Sequence, residues 1–109
     1  MWNKTPPNFV CFDFETGDVN PETCEVLEVA CKVYNGTTLD EMPDGEFSSL
    51  IKPVDKTRVK QEALDVNKLT LAELENAPDI KTVWLQFIEF IGRFNPTKNK
   101  FDAPIAMGY

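Results

Sequence analysis

The sequence predicts an α/β domain in which three short strands precede the helices and a further strand closes the described order. Three observations carry this. Phe9-Val10-Cys11-Phe12-Asp13-Phe14 is a nearly continuous apolar run directly after Pro6-Pro7, the pattern of a strand covered on both faces, with Asp13 as its exception. From Val26 to Tyr34, Leu27, Val29, Cys31 and Val33 alternate with Glu28, Ala30, Lys32 and Tyr34, the period of a half-buried strand. Between Asp79 and Phe94, Trp84, Phe87, Ile88, Ile91 and Phe94 recur at helical spacing, a stripe about one helix face wide.

The remaining elements follow in order. After Gly17, the segment from Asp18 to Thr23 contains Asn20-Pro21 and reads as a turn. Asn35-Gly36 ends the second strand, and Pro43 and Gly45 mark a polar loop. Phe47 to Ile51 then resumes as a short third strand that stops at Pro53, so that the three strands form an antiparallel meander. A long connection leads to Thr70-Leu71-Ala72-Glu73, which has capping-box spacing and starts a short helix that ends before Pro78. In the long helix, Leu85 and Phe90 widen the apolar stripe, which predicts packing against the sheet with little exposure. Gly92 and Asn95-Pro96 stop it. Pro104 to Tyr109 begins another buried strand, and an apolar strand at the last residue suggests a fragment of a longer domain.

A chain of 109 residues allows one modest domain. Its 42% hydrophobic content, with 8 Phe, 2 Tyr and 2 Trp, supplies enough apolar mass for a core. Eleven basic residues against 18 acidic ones leave a net charge of −7, which disfavours non-specific attraction to phosphate backbones or anionic membranes. With no His, the residues shown offer no imidazole base, Ser/His triad or His-ligated zinc. Cys11, Cys24 and Cys31 contain no C-x-x-C pair, so neither a disulfide framework nor a zinc knuckle is indicated. The amino end lacks a signal-peptide core, and no run approaches the roughly 18 apolar residues of a membrane span. These features point to a cytoplasmic protein.

Carboxylates are therefore the main groups left for chemistry. Asp13 and Glu15 lie two positions apart on a strand, which puts them on one face about 6–7 Å apart along it. That separation lets them share a pair of divalent cations, and oxygen ligands select a hard ion, Mg²⁺ or Mn²⁺. Two solvated acids at a strand end, or acids paired with Lys or Arg, would give the same D-x-E pattern.

The surroundings favour the metal reading. Phe9-Val10-Cys11-Phe12-Asp13-Phe14-Glu15-Thr16-Gly17 resembles the first motif of the DEDD, DnaQ-like 3′-to-5′ exonucleases of the ribonuclease H-like superfamily. Val26-Leu27-Glu28-Val29-Ala30 is similar to their second strand, and Phe47-Ser48-Ser49-Leu50-Ile51-Lys52-Pro53 to their third. Ala63-Leu64-Asp65-Val66-Asn67-Lys68-Leu69-Thr70 resembles their substrate-wedge segment and helix cap. Glu75-Asn76-Ala77-Pro78 precedes the long helix as it does in the family, and Ile105 to Tyr109 resembles the strand that enters their second motif.

The resemblance implies a ribonuclease H-like mixed sheet, an antiparallel meander followed by helices and a parallel strand, of which residues 1–109 form the amino-terminal portion. It implies that Asp13 bridges two metal ions and Glu15 binds the first, the ions activating water and stabilising charge on the leaving 3′ oxygen. Thr16 and the Gly17 backbone would meet the 3′-terminal nucleotide, while Val66 and Asn67 would meet its base or sugar. The implied substrate is the 3′ end of single-stranded DNA or RNA, with a polymerase as a further candidate partner. The second motif's Asp, and the third motif's His or Tyr and last Asp, would lie beyond Tyr109. The 109 residues alone are then expected to be inactive, to bind Mg²⁺ in roughly the millimolar range, and to self-associate through uncovered surfaces. Thr16-Gly17 departs from the two Thr that many members carry before the Gly. A catalytically inactive ribonuclease H-like module that binds nucleic acid or protein is the alternative.

Overall fold

The computed structural model describes residues 5–108. Its element order is β1 (Phe9–Thr16), β2 (Val26–Tyr34), β3 (Glu41–Leu50), a 3₁₀ turn (Lys56–Arg58), α1 (Gln61–Asn67), α2 (Leu71–Glu75), α3 (Ile80–Gly92), a second 3₁₀ turn (Lys100–Asp102) and β4 (Ile105–Gly108). The four strands are ordered β3-β2-β1-β4. β4 runs parallel to β1, with Phe9 opposite Ile105 and Phe12 opposite Gly108. The expected α/β class with a mixed sheet is the observed one.

β2 has the predicted limits and the predicted alternation: Leu27, Val29, Cys31 and Val33 are buried, while Ala30 and Lys32 are exposed. β1 departs from expectation. Only Val10 is buried, and Asp13 and Phe14 are exposed, so the strand is not covered on both faces among the described residues. Its apolar run reflects one packed face, carried by Val10 and Phe12, rather than two.

β3 begins at Glu41, earlier than the predicted Phe47. Its position at the sheet edge explains how it contains Pro43, because a missing N–H costs little where no neighbouring strand accepts it. Asp44 takes a left-handed conformation (φ 56°) beside Gly45 within this strand. A tight connection joins β2 to β3: Asn35 N–H donates to the Asp40 carbonyl at 2.8 Å, and Leu39 (φ 64°) turns the chain. β4 is also a correction, since all four of its residues are exposed where a buried strand was expected. An edge strand covered on neither face buries little, whatever its composition. Tyr109, which the expectation included, lies outside the described residues.

The chain packs as two compact units, and β1, β2, β3 and α3 contribute residues to both. The first comprises residues 5–13, 30–47 and 85–108. Its core is Val10, Cys31, Val33 and Phe90, with Phe12, Met42, Phe47, Phe87, Ile91 and Phe94 packed against them. Phe47, Phe90 and Phe94 form tilted ring contacts, with centroids 5.4 Å apart for Phe47/Phe90 and 5.2 Å for Phe90/Phe94.

The second unit comprises residues 14–29 and 48–84. Leu27, Leu64 and Leu74 form its core, with Leu50, Val59 and Leu69 around them. The Thr70 half of the expected capping box is present, with Thr70 Oγ1 accepting from Glu73 N at 3.2 Å, while the Glu73 carboxylate accepts from the Thr70 hydroxyl at 3.1 Å. α1 has no counterpart in the sequence reading, which left this stretch as a connection. Its N-cap is Lys60, which has no side-chain acceptor, and it ends at Lys68 in the left-handed conformation (φ 57°). No start signal marked it, although Gln61, Glu62, Ala63 and Leu64 are good helix formers.

α3 corrects another expectation. Val83 and Phe90 are buried, but Trp84, Leu85 and Ile88 are 56%, 57% and 49% exposed, so the helix carries an outward apolar face. The buried stripe begins one residue earlier than the sequence reading placed it. Asp79 starts the helix by accepting from Thr82 N at 2.8 Å.

Two predictions follow from this packing. Leu64 is 3% exposed and Val66 is 79% exposed on the same helix. In urea denaturation, Leu64→Ala should therefore cost about 2–5 kcal/mol and Val66→Ala no more than about 0.5 kcal/mol. The second prediction concerns acid. The Thr82 hydroxyl and N–H hold the Asp79 carboxyl below its ordinary value of 3.8, and those of Thr57 do the same for Asp55. A depressed folded-state value contributes stability above the unfolded value, which is lost as pH falls through the folded one. The urea midpoint should fall below about pH 4, and the Asp55→Ala/Asp79→Ala double variant should flatten that decline.

Candidate active site

β1 sets the positions of both candidate carboxylates. Asp13 and Glu15 are successive same-face positions of the strand, Asp13 exposed and Glu15 half-buried. Among the described residues neither carboxylate has a hydrogen-bond or ion-pair partner, in contrast to Asp55 and Asp79. In the first unit, Asp13 lines an open groove of about 300 Å³ with Cys11, Ala30, Lys32, Tyr34 and Glu46. Cys31 also borders it, but burial pushes that thiol up to about 11, which keeps it protonated and unreactive near neutral pH. All three cysteines are free.

In the second unit, Glu15 and Thr16 line a cleft of about 330 Å³ together with Asp18, Lys60, Val66 and Asn67. Five of the six candidate residues thus belong to this unit's cleft or to its frame. Glu15, Thr16, Val66 and Asn67 line it, and Gly17 holds it together from behind.

Three interactions build the cleft. Gly17 N–H donates to the Glu25 carbonyl, and the Gly17 carbonyl accepts from Lys60 N–H, both at 2.8 Å. A Cβ on Gly17 would lie 3.2 Å from Val59 Cα, so the residue's smallness permits this approach. Asn67 Nδ2 donates to the Thr16 carbonyl at 3.4 Å, which ties the last residue of α1 to the last residue of β1. Glu25 braces the following loop, its carboxylate accepting from Val54 N at 3.2 Å and Asp55 N at 2.9 Å.

Thr16 directs its hydroxyl to the Asp18 carbonyl at 3.0 Å. Val66 leaves a large apolar side chain in solvent at the cleft. The sequence reading did not single out Lys60 or Glu25, because neither residue belongs to a motif with a recognisable spacing.

Asp13 and Glu15 suit a hard divalent cation in donor type, being oxygen ligands free of competing partners. In number they fall short. No group of three or more His, Cys, Asp or Glu side chains among the described residues could hold a metal ion.

The fold is an α/β domain of ribonuclease H-like architecture whose first strand carries two unpartnered carboxylates, Asp13 in the first unit and Glu15 at the second unit's cleft. The chain belongs to the exonuclease family, whose model matches residues 10–107. It is 31% identical over 84 residues to the PolC-type DNA polymerase III of Thermotoga maritima, a match that covers 76% of this chain and 6% of that protein. Among solved structures it resembles cell-death related nuclease 4 (CRN-4), with a TM-score of 0.74 and 20% identity over 95% of this chain and 34% of the other. It also resembles the nuclease domain of 3′hExo, a DEDDh family member bound to rAMP. There the TM-score is 0.70 and the identity 18%, over 87% of this chain and 48% of the other. The chain therefore spans less than half of each of these proteins. Among the described residues no helix is long and apolar enough to cross a membrane.

Gly17→Ala tests the frame of the cleft. The added methyl must displace Val59 or the β1 end, and overpacking of this kind costs about 1–3 kcal/mol. A lowered urea midpoint with unchanged cooperativity is the expected result.

Proposed function

We propose that the chain is the amino-terminal portion of a metal-dependent 3′-to-5′ exonuclease domain that shortens single-stranded nucleic acid. The observation that carries the reading is the pair of unpartnered carboxylates on β1, Glu15 of which opens into the cleft shared with Thr16, Val66 and Asn67. Membership of the exonuclease family supports it.

Asp13 and Glu15 are the residues that would hold Mg²⁺ or Mn²⁺, and bound ions would supply an activated water and stabilisation of the leaving 3′ oxygen. The protein's own share is to bind and orient the strand end. Gly17, fixed between Glu25 and Lys60, keeps the end of β1 from moving when the nucleotide enters. Val66 presents an apolar surface on which a terminal base can rest at low entropic cost, since α1 already fixes its backbone. Asn67 spends one amide N–H on Thr16, which fixes the side-chain plane and leaves Oδ1 for a sugar hydroxyl or base edge.

The remaining acidic ligands of the family pattern are assigned to residues outside these 109. That division agrees with a donor set too small for two ions and with the share of the relatives' lengths that the chain spans. The 3′hExo domain was solved with rAMP and the Thermotoga relative is a DNA polymerase. We accordingly assign a single-stranded DNA or RNA 3′ end as substrate and a polymerase as a candidate partner.

The full-length protein should shorten a 5′-labelled single strand stepwise from its 3′ end with Mg²⁺ or Mn²⁺. EDTA and Asp13→Asn should each reduce cleavage to background. Unchanged activity in either case overturns the metal mechanism. Retention of 3′-end binding by a metal-loaded, full-length protein that never cleaves would favour the inactive binding module instead.

A further inference from the structure

Three carboxylates, Glu15, Asp18 and Glu62, line the second unit's cleft, and Lys60 is the cation among its lining residues. The placement of Lys60 is unfavourable for folding. It is the N-cap of α1, where Ser, Thr, Asp or Asn would accept a hydrogen bond from the first turn. Lys60 makes no such bond, and its positive charge sits at the positive end of the helix. Among the described residues its ammonium has no hydrogen-bond or ion-pair partner. Nearby cations differ, Lys56 pairing with Glu75 at 3.5 Å and Arg58 with Asp55 at 3.6 Å. The Lys60 backbone is nonetheless tightly held, its N–H bonded to the Gly17 carbonyl at 2.8 Å. The backbone that carries this unpaired ammonium is thereby held against Gly17, just after the end of β1, at a position where local folding favours another residue type.

We infer that Lys60 contacts the phosphodiester backbone of the strand entering the cleft, a specific phosphate-binding role. The inference rests on the nuclease reading. A compact, hydrated ammonium on a flexible stem acts as a point charge toward a phosphate. The group concerned is the side chain and not the terminus of α1, whose seven residues give only a weak field. In a chain of net charge −7, Lys60 gives the cleft a cationic contact of its own besides any bound metal ions. It is a binding and positioning residue, so its loss should appear in KM rather than kcat.

Lys60→Ser separates this role from a structural one, because Ser supplies the missing cap acceptor. In the full-length protein the variant should melt no lower than wild type. Its KM for an oligothymidylate with a free 3′ hydroxyl should rise roughly 3–10-fold, with kcat within about twofold. The slope of log affinity against log salt should shrink by about 0.7, the contribution of one phosphate contact on a single strand. Lys60→Arg should retain the wild-type slope. The control is Lys56→Ser, which removes an ion-paired charge outside the cleft and should leave KM and slope unchanged.

Binding measured in Ca²⁺ decides the inference even where cleavage is absent. A wild type that binds the strand but does not cut it in Mn²⁺ defeats the nuclease reading alone. A Lys60→Ser protein with wild-type affinity and salt slope overturns the role of Lys60, whether or not the enzyme cuts.

Discussion

Everything in the cleft depends on how closely the chain can approach itself at Gly17. Its N–H and carbonyl are each committed, to Glu25 and to Lys60, and its missing side chain admits Val59. This contact joins segments more than forty residues apart in sequence, the end of β1 and the start of α1. With the two segments joined there, Asn67 comes within reach of the Thr16 carbonyl and Val66 stands at the cleft rim. The hydrogen bonds themselves are ordinary backbone bonds. What they provide is position: a loop that would otherwise sample many conformations is fixed against the strand that carries the acids.

Local physics explains which parts of the fold could be read from the sequence. β2 was legible because burial on one face imposes a strict two-residue alternation, and no competing signal interrupts it. The Thr70 cap was legible because its side-chain chemistry is local to four residues. α1 was not, because it begins at a residue that cannot cap it and is held by Leu64 packing on Leu27 and Leu74, distant in sequence. β3 was read too short because Pro and Gly signal a break, and only the strand's place at the sheet edge makes them tolerable. On α3 the apolar residues extend around more of the helix than the core needs. Hydrophobicity alone could not show that Val83 and not Trp84 heads the buried face.

The site divides in the same way. Asp13 and Glu15 stand out because acids in an apolar strand conflict with their surroundings, and such conflicts mark positions held for purposes other than folding. Lys60 violates a local preference too, but the violation becomes visible only once α1 is known to begin there. Cys31, by contrast, is a core residue as its place in the alternation of β2 predicts, and burial suppresses its thiolate.

The two margins of the sheet are chemically unlike. On the β3 side, Pro43, the left-handed Asp44 and the acids Glu41 and Glu46 interrupt any regular row of donors and acceptors. On the β4 side, Ile105 to Gly108 carry no proline or charge, and the strand lies in parallel register with β1. The β4 margin presents the unpaired N–H and carbonyl groups of an edge strand with no carboxylate on that strand to repel an incoming one. The β4 flank is therefore the better template for a further strand, the β3 flank the poorer one, and β1 stays interior to the sheet whichever flank is extended.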